Sequence, residues 1–294
     1  MTSLTDFVLA LLLAPLLPGI INRVKAFFAG RTGQSVFQLY YDLHKLMHKA
    51  AVYSNCSSYV FKLGPVLGLA ALLSTLTLMP GACGIPLHHF QGDIILFAYL
   101  LALARFGTIL AALDTGSSFE GMGASREAWF SVLAEPPLFV ALALLVKKTS
   151  ELSLSGAFTA SALLDTTPRL LAAAALFLVY LAENSRIPVD DPNTHLELTM
   201  VHEVMVLDHS GPDFAFISYG AALKLWVLGA LTVHFIFPFG HGGAADAALF
   251  VAGIFSVALA TGIVESCMAR LRLVRVPAML LSALALAFAA FVTA

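Results

Sequence analysis

Eight long apolar blocks divide this sequence, and they constrain its fold more than any other feature. They cover approximately residues 4–22, 60–80, 93–113, 127–147, 169–187, 214–238, 244–268 and 274–294. Each is about 20 residues long, which is the length that an α-helix needs to cross the hydrocarbon core of a bilayer. Charged residues make up only 12% of the chain, against about 25% in soluble domains. The sequence therefore predicts an all-α integral membrane protein of about eight transmembrane helices, with residues 1–294 as a single polytopic domain.

The basic residues between the blocks predict the orientation. Short loops rich in Lys and Arg stay in the cytoplasm. Eleven of the sixteen basic residues fall in the odd-numbered loops, and only Lys147, Lys148 and Arg169 fall on the opposite side. We therefore expect a multi-pass protein of the cytoplasmic (inner) membrane with both termini on the non-cytoplasmic side. The first block has no basic residue before it, so we interpret it as a retained span rather than a signal peptide.

Net charge and cysteine content argue against several kinds of partner and site. The net charge of −2 indicates no large basic surface for nucleic acid. Cys56, Cys83 and Cys267 stand alone, with no C-x-x-C pair. A chain with this pattern is not expected to hold an iron–sulfur cluster, a structural zinc or a NiFe centre by itself. Any redox metal is therefore expected in a partner subunit.

Residues 34–50, between the first two spans, have the pattern of an amphipathic helix. Apolar residues recur there at spacings of three and four, which places them on one face of a helix. The other face is polar and includes Gln38, Asp42 and Lys45. We predict a surface helix that lies along the cytoplasmic side of the membrane or against a partner. A helix that only anchors the chain is the alternative.

Ionisable side chains in the spans are the first candidates for function. They are Arg105, Glu135, Glu183, Lys224 and Glu265. An ionised side chain at mid-membrane costs about 2.5–3.5 kcal/mol even on a lenient scale, so each needs a partner, a wet cavity or a change of protonation. Two prolines follow Glu135, and we expect them to interrupt the helix there. One hypothesis is that the carboxylates exchange protons, and the alternative is a set of static ion pairs, for example between Arg105 and a glutamate.

The cytoplasmic segment 182–213 is the most distinctive part of the sequence. Its acidic residues are Glu183, Asp190, Asp191, Glu197, Glu203, Asp208 and Asp213. Only one basic residue, Arg186, accompanies them, against the usual positive-inside tendency. We interpret the segment as a hydrated region in which carboxylates and imidazoles titrate and pass protons towards the membrane. An acidic surface that docks a basic patch of a soluble partner is the alternative, and the two are compatible.

The same segment also predicts a helix. Asp191 followed by Pro192 is typical of a helix start, and Gly211 followed by Pro212 is typical of a helix end. Three histidines in the segment are spaced by seven residues, or about 10.5 Å along a helix, which is too far apart to share one metal ion. We therefore predict an acidic loop helix without a metal site.

Three motifs in the sequence resemble one family of membrane proteins. Residues 182–198 read AENSRIPVDDPNTHLEL and are similar to A-E-S-N-R-x-P-F-D-L-P-E-x-E-x-E-L, matching without a gap at Glu183, Arg186, Pro188, Asp190, Pro192, Glu197 and Leu198. Residues 122–135 read MGASREAWFSVLAE and resemble L-G-A-L-R followed by S-Y-E, through Arg126 and Glu135. Residues 37–46 read FQLYYDLHKL and resemble L-Q-P-x-A-D-x-x-K-L, through Gln38, Asp42 and Lys45. The family contains the quinone-site heel subunit of respiratory complex I and the corresponding subunit of membrane-bound NiFe hydrogenases.

Departures from the complex I pattern favour the hydrogenase branch of that family. Where the complex I pattern has Phe, Leu and two Glu, this chain has Val189, Asp191, Asn193 and His195. The chain resembles most the membrane subunits of hydrogenase 4 and formate hydrogenlyase. This resemblance implies a non-catalytic subunit that anchors a peripheral NiFe hydrogenase arm and couples its electron transfer to proton or sodium translocation. The implied partners are the hydrogenase large subunit and iron–sulfur subunits, which would hold the NiFe centre and the clusters, and antiporter-like membrane subunits within the lipid bilayer. A quinone-site subunit of complex I and a stand-alone secondary transporter are the alternatives.

The candidate residues fall into three groups. A relay of protons would use Glu135, Glu183, Asp190, Asp191, Glu197 and Glu203. Charge balance or docking would use Arg126, Arg186, Gln38, Asp42 and Lys45. Intramembrane partners would be Arg105, Lys224 and Glu265. No catalytic residue and no metal ligand is expected in this chain.

Overall fold

The computed structural model describes residues 3–81, 85–159, 165–190, 200–237, 239 and 243–294. This part of the chain contains helices and no strand. The α-helices are α1 (Ser3–Leu13), α2 (Leu16–Phe28), α3 (Gln38–Met47), α4 (Tyr59–Leu78), α5 (Asp93–Asp114), α6 (Ser118–Thr149), α7 (Leu154–Thr159), α8 (Thr166–Glu183), α9 (Gly211–Ile236), α10 (Ala244–Cys267) and α11 (Val276–Thr293). Two short 3-10 helices cover Glu203–Val206 and Leu273–Arg275.

Seven of the described helices are long and apolar enough to cross a membrane. They are α4, α5, α6, α8, α9, α10 and α11, the last counted with the 3-10 turn before it. Helices α1 and α2 meet the same criteria only as a pair, which is bent by 45° at the break between them, and the count is eight if the pair is one span. The bend falls at Pro15, which has no N–H to donate into a helix. The predicted all-α membrane protein with about eight spans is thus confirmed.

Helix α6 is longer than its predicted span and is not ended by its two prolines. It has 32 residues and continues through Pro136 and Pro137 to Thr149, so the expected interruption does not terminate it. A proline removes only its own hydrogen bond and clashes with one carbonyl, and packing in a bundle can compensate for both. Pro137 and Leu138 are buried, so the helix is packed within the bundle at this point.

The surface helix is present within the predicted range 34–50. It is α3, which has ten residues and buries none of them completely. It packs against α9 and α2, and the hydroxyl of Tyr40 donates to the carbonyl of Leu12. The helix is therefore attached to the bundle through the first span as well as through α9.

Close helix contacts in the bundle depend on small residues. A Cβ on Gly64 of α4 would lie 2.7 Å from the Cβ of Ala111 and 3.0 Å from the carbonyl oxygen of Gly107, both on α5. In α11 the fully buried alanines 283, 287 and 290 are spaced by three and four, and the helix packs against α8 and α6. Small side chains let backbones approach closely in a membrane, where dispersion replaces the hydrophobic effect as the attraction between helices.

The odd-numbered loops meet at one end of the bundle and the even-numbered loops at the other. At the first end, Arg270 Nη2 lies 2.7 Å from Asp190 Oδ1, which joins the loop after α10 to the loop after α8. At the second end, the carboxylate of Asp93 accepts from Leu154 N at 2.6 Å and from Ser153 Oγ at 2.9 Å. The alternation expected of successive spans is therefore present in the structure.

The acidic segment differs from its prediction where the structure describes it. Residues 191–199, which include the predicted helix start at Asp191, lie outside the described residues. Over 200–210 the only helical element is the 3-10 helix Glu203–Val206. Gly211 and Pro212 do not end a helix but begin α9, because proline suits the first helical turn, where its missing N–H has no partner in any case.

Candidate functional site

Four ionisable side chains from four helices contact one another between α5, α6, α8 and α9, and we call them the charged cluster. Its members are Arg105 of α5, Glu135 of α6, Glu183 at the end of α8 and Lys224 of α9. Arg105 donates through Nη1 to Glu183 and through Nη2 to Glu135. Lys224 Nζ lies 2.8 Å from the other carboxylate oxygen of Glu183. Glu183 is thus held between two cations.

The four members differ in their exposure. The side chains of Arg105, Glu183 and Lys224 are 8–10% exposed, whereas the side chain of Glu135 is 40% exposed. Glu135 and Arg105 border an open groove of about 730 Å³ on the outer face of α5 and α6, with Tyr99, Leu103 and Phe106 around them. Arg105 therefore connects a buried carboxylate with one at the outer face of the bundle.

A cleft lies beside the cluster. One wall is apolar and comes from α4 and α9, for example through Leu69, Leu72 and Ile217. The ionisable residues that line the cleft are Arg105, Glu127, Glu183, Arg186, His202 and Lys224. The cleft therefore brings two membrane carboxylates, three cations and one imidazole to a single cavity.

Glu127 of α6 is a cleft residue that the sequence analysis did not select. It is only 7% exposed, and its electrostatic neighbours include Lys224, Glu183 and Arg105. It makes no direct ion pair with a residue in the described part of the chain. Glu127 is therefore a buried carboxylate that can change its protonation without breaking an ion pair.

His202 lies in the loop before the 3-10 helix and lines the same cleft. Its backbone N–H donates to Asp190 Oδ2 at 3.2 Å, and that of Val201 donates to the same oxygen at 3.1 Å. Burial of the ring, with the Lys224 ammonium as a second cause, lowers the pKa of His202 to about 4. The imidazole is therefore neutral at pH 7 and can accept or donate a hydrogen bond in the cleft.

The pKa of a free histidine is 6.5, and that of His202 in the folded chain is about 4. We therefore expect the stability of the chain to fall as the pH decreases from 6.5 towards 4. In this range the unfolded chain binds a proton at His202 that the folded chain does not, so lower pH favours unfolding. Thermal unfolding in one detergent at pH 7 and pH 5 measures the effect. The wild type should lose roughly 4–8 °C more than His202→Gln between pH 7 and pH 5, taking about 2 kcal/mol of linkage.

The exposed His89 supplies the control for this measurement. The variant His89→Gln should show the same pH dependence as the wild type. Burial also lowers the pKa of His209, so some dependence on pH should remain in His202→Gln and decrease further in a variant that lacks both histidines. If His202→Gln loses as much stability between pH 7 and pH 5 as the wild type does, the burial of this imidazole has no part in the pH response.

A second ionic network joins the loops at the odd-loop end. Glu265 of α10 is buried, and its carboxylate lies 2.9 Å from Lys25 Nζ and 3.6 Å from Arg186 Nη1. The salt bridge between Asp190 and Arg270 lies in the same group of loops. Both Lys224 and Glu265 bind oppositely charged partners inside the bundle.

The remaining candidates are separate from the cluster or outside the described residues. Arg126 Nη1 donates to the carbonyl of Met200 at 3.0 Å and so holds the acidic segment against α6. Gln38 Nε2 donates to Asp42 Oδ1 at 3.0 Å on α3, and Lys45 is exposed there. Glu203 begins the 3-10 helix and is partly buried. Asp191 and Glu197 lie outside the described residues.

The described residues contain no group of three or more His, Cys, Asp or Glu side chains that could hold a metal ion. His202 faces the cleft, whereas the ring of His209 stacks on Phe61 with 3.9 Å between ring centroids. The chemistry that this arrangement supports is the binding and transfer of protons between carboxylates, aided by two fixed cations.

A family model described as NADH dehydrogenase matches residues 2–294. The chain belongs to the NADH dehydrogenase family. This membership confirms the resemblance inferred from the three motifs. Among curated members of the family, formate hydrogenlyase subunit 4 of Escherichia coli (strain K12) is 33% identical over 291 residues, which are 95% of this chain and 94% of that protein.

Two further proteins place the chain within the family. Hydrogenase-4 component C of Escherichia coli (strain K12) is 32% identical over 81% of this chain and 76% of its own length. A subunit of the NADH-quinone oxidoreductase of Rickettsia felis is 24% identical over 66% of this chain and 58% of its own length. Sequence similarity is thus higher, and extends further, towards the two hydrogenase-type proteins.

A solved structure supports the fold. A chain from the membrane-bound sulfane sulfur reductase, described as an archaeal respiratory membrane complex, superposes with a TM-score of 0.84. The match covers 99% of this chain and 97% of that chain at 21% sequence identity. This member of the NADH dehydrogenase family therefore shares its helical architecture with a subunit of a respiratory membrane complex.

Proposed function

We propose that this chain is the non-catalytic membrane subunit of a formate hydrogenlyase or hydrogenase-4 type complex. In that role it anchors the peripheral NiFe hydrogenase arm and couples electron transfer there to the movement of protons, or of sodium, in the membrane. The NiFe centre and the iron–sulfur clusters belong to partner subunits in this proposal. Its carrying observation is the cleft, in which buried ionisable groups of α5, α6, α8 and α9 adjoin the acidic segment.

The proposed proton path starts in the acidic segment at the odd-loop end. Asp191, Glu197 and Glu203 would take up protons there, and Asp190 would hold the backbone of residues 201 and 202 beside the cleft. Arg126 would fix the same segment through its bond to Met200. This arrangement supports a junction at which a change in the redox arm alters the protonation of groups close to the membrane.

Within the membrane, the path would continue from Glu127 to Glu183 and then to Glu135. Arg105 bonds to both Glu183 and Glu135 and would stabilise the ionised form of whichever carboxylate has lost its proton. Glu135 is exposed in the groove on the outer face of α5 and α6. We propose that this face meets an antiporter-like membrane subunit, to which Glu135 would pass the proton.

A pull-down in mild detergent tests the anchoring role. The tagged chain should recover a hydrogenase large subunit with two C-x-x-C pairs, together with iron–sulfur subunits, and the preparation should evolve hydrogen from reduced viologen. Recovery with a quinone-reducing arm would favour the complex I alternative. Recovery of the chain alone, as a stable and active carrier, would support the stand-alone transporter instead.

The three cysteines provide a test of the proposed orientation. Cys56 lies in the first loop and Cys267 is the last residue of α10, at the odd-loop end, and both are exposed. We therefore expect a membrane-impermeant maleimide to label them from the cytoplasmic side, in inverted vesicles. Cys83 lies between the second and third predicted spans and should be labelled only in right-side-out vesicles. Variants that retain a single cysteine assign each signal. Labelling of Cys83 but not Cys56 in inverted vesicles would reverse the orientation.

A quinone-site subunit is a second candidate function, because one wall of the cleft is apolar and the other carries Arg105, Glu183 and His202. A quinone has a polar head and an apolar tail, and such a cavity suits both. A photo-crosslinkable quinone analogue distinguishes the two functions. Crosslinking to the cleft, with inhibition of turnover by quinone-site inhibitors, would support this function, whereas hydrogen evolution that these inhibitors leave unchanged would support the hydrogenase subunit.

A further inference from the structure

A groove on another outer face of the bundle combines two arginines with an exposed apolar wall. It lies where the end of α2 meets α10 and has a volume of about 830 Å³. Its lining includes Arg23, Arg31, Phe27, Phe28, Leu259 and Ile263. The groove is separate from the cleft and shares no lining residue with it, so the proton path makes no use of it.

The charge of this groove is positive. Arg23 Nη1 donates to the carbonyl of Thr32, which fixes the guanidinium beside the segment that carries Arg31. Both arginines are exposed, and none of the described residues that line the groove is acidic. The neighbouring Lys25 instead points inward to Glu265, at 2.9 Å. Two positive charges are therefore available to a ligand from outside.

The apolar wall runs along α10 below these charges. Leu259 and Ile263 are one helical turn apart and exposed, and Phe27 at the end of α2 is 81% exposed. Gly262 lets the two helices touch, because a Cβ there would lie 2.7 Å from the Cβ of Val24. The helix contact closes the floor of the groove and leaves a shallow channel that opens towards the lipid.

We propose that this groove binds an anionic phospholipid, with its phosphate on Arg23 and Arg31 and an acyl chain along Leu259 and Ile263. Guanidinium groups bind phosphate oxygens in pairs, and basic pockets between transmembrane helices suit anionic headgroups. The end of a span is at the level of the headgroups, and the wall of α10 continues towards the hydrocarbon. The two positive charges at the headgroup level select an anionic lipid over a zwitterionic one.

Lipid titration of the purified complex, followed by native mass spectrometry, tests this site. Phosphatidylglycerol should bind the wild type more tightly than phosphatidylethanolamine does. Arg23→Gln with Arg31→Gln should lower the affinity for phosphatidylglycerol roughly thirtyfold, the effect of two arginine contacts at a membrane surface. The control removes the same charge from the exposed Arg272 and Arg275, as Arg272→Gln with Arg275→Gln, and should retain wild-type affinity. Equal affinity in the wild type and the Arg23/Arg31 variant would overturn the proposal.

Two further variants separate the lipid from other occupants. Arg31→Gln alone leaves the bond between Arg23 and Thr32 intact, and it should still weaken binding if the double variant fails to assemble. Ile263→Trp fills the channel but keeps both charges, so it should weaken lipid binding and leave the binding of inorganic phosphate unchanged. If inorganic phosphate binds as tightly as the lipid, or if Ile263→Cys crosslinks to another polypeptide in native membranes, the groove is not a lipid site.

Discussion

Replacing Glu183 with glutamine is expected to destabilise the folded chain by about 3–5 kcal/mol. Glu183 accepts from Arg105 and from Lys224, and all three side chains are buried. The glutamine keeps the shape but removes the charge, so Lys224 loses the carboxylate that it pairs with. An unpaired buried cation is costly because its hydration has been lost and nothing replaces it. The free energy of unfolding in one detergent, compared with wild type, measures this loss.

A second substitution separates charge from shape in this prediction. Adding Lys224→Gln to Glu183→Gln removes the unpaired cation and leaves Arg105 bonded to Glu135, so much of the stability should return. The matched control is Glu151→Gln, because Glu151 is an exposed glutamate outside the cluster. If the double variant is no more stable than the single one, the uncompensated charge is not the cause. Proton translocation should stay impaired in both variants, since neither has the carboxylate that would relay protons.

The spans could be predicted from the sequence because bilayer thickness imposes their length. The third predicted span, 93–113, differs by one residue from α5, Asp93–Asp114. No comparable rule fixes which charges pair. Arg105 and Glu183 are 78 positions apart in the chain, and one sequence indicates that each needs a partner without showing which partner it takes. The cluster was therefore predicted as a set of candidates, and only the structure assembles it.

The sequence does not identify Glu127 as a buried group, because hydropathy places the start of its span at that residue. The polar stretch before it gave a predicted start at residue 127, where a carboxylate would be solvated. Helix α6 begins nine residues earlier, at Ser118, and Gly123 lies against the acidic segment so closely that a Cβ would be 2.3 Å from Val204. This tertiary contact extends the helix and buries Glu127. The signal available in sequence was the small pair Gly123–Ala124 beside a glutamate, which permits close packing.

The acidic segment is a second place where a tertiary contact, which one sequence does not reveal, decides the local structure. Capping residues predicted a helix that ends at Gly211, but Val204, Met205 and Val206 are buried in a 3-10 turn. Consecutive side chains of a 3-10 helix are about 120° apart, so the burial of three in a row needs contacts on several sides of the turn. Contact with α6 and α5 therefore outweighs the helix-capping preference of the segment, which is a local property and the only one that its sequence indicates.

Replacing Glu127 with glutamine should have the opposite profile to Glu183→Gln. Because Glu127 makes no direct ion pair with a described residue, loss of its charge strands no cation, and we expect the chain to assemble in normal amount with little change in stability. Proton translocation should nevertheless fall about a hundredfold, the usual effect of removing a positioned group that transfers protons. Proton uptake by vesicles that contain the complex, driven by the redox reaction, gives the measurement.

Two variants show whether that loss belongs to the carboxylate at this position. Glu127→Asp keeps an ionisable group in the cleft and should restore part of the translocation. Glu120→Gln changes a buried glutamate seven residues earlier on the same helix, which does not line the cleft, and should leave proton translocation at the wild-type level. Translocation at the wild-type rate in Glu127→Gln would remove the cleft carboxylate from the path. The expected result is that Glu127→Gln is stable but does not translocate protons, whereas Glu183→Gln is unstable. That result would separate the residue that moves the proton from the ion pairs that hold the cleft in place.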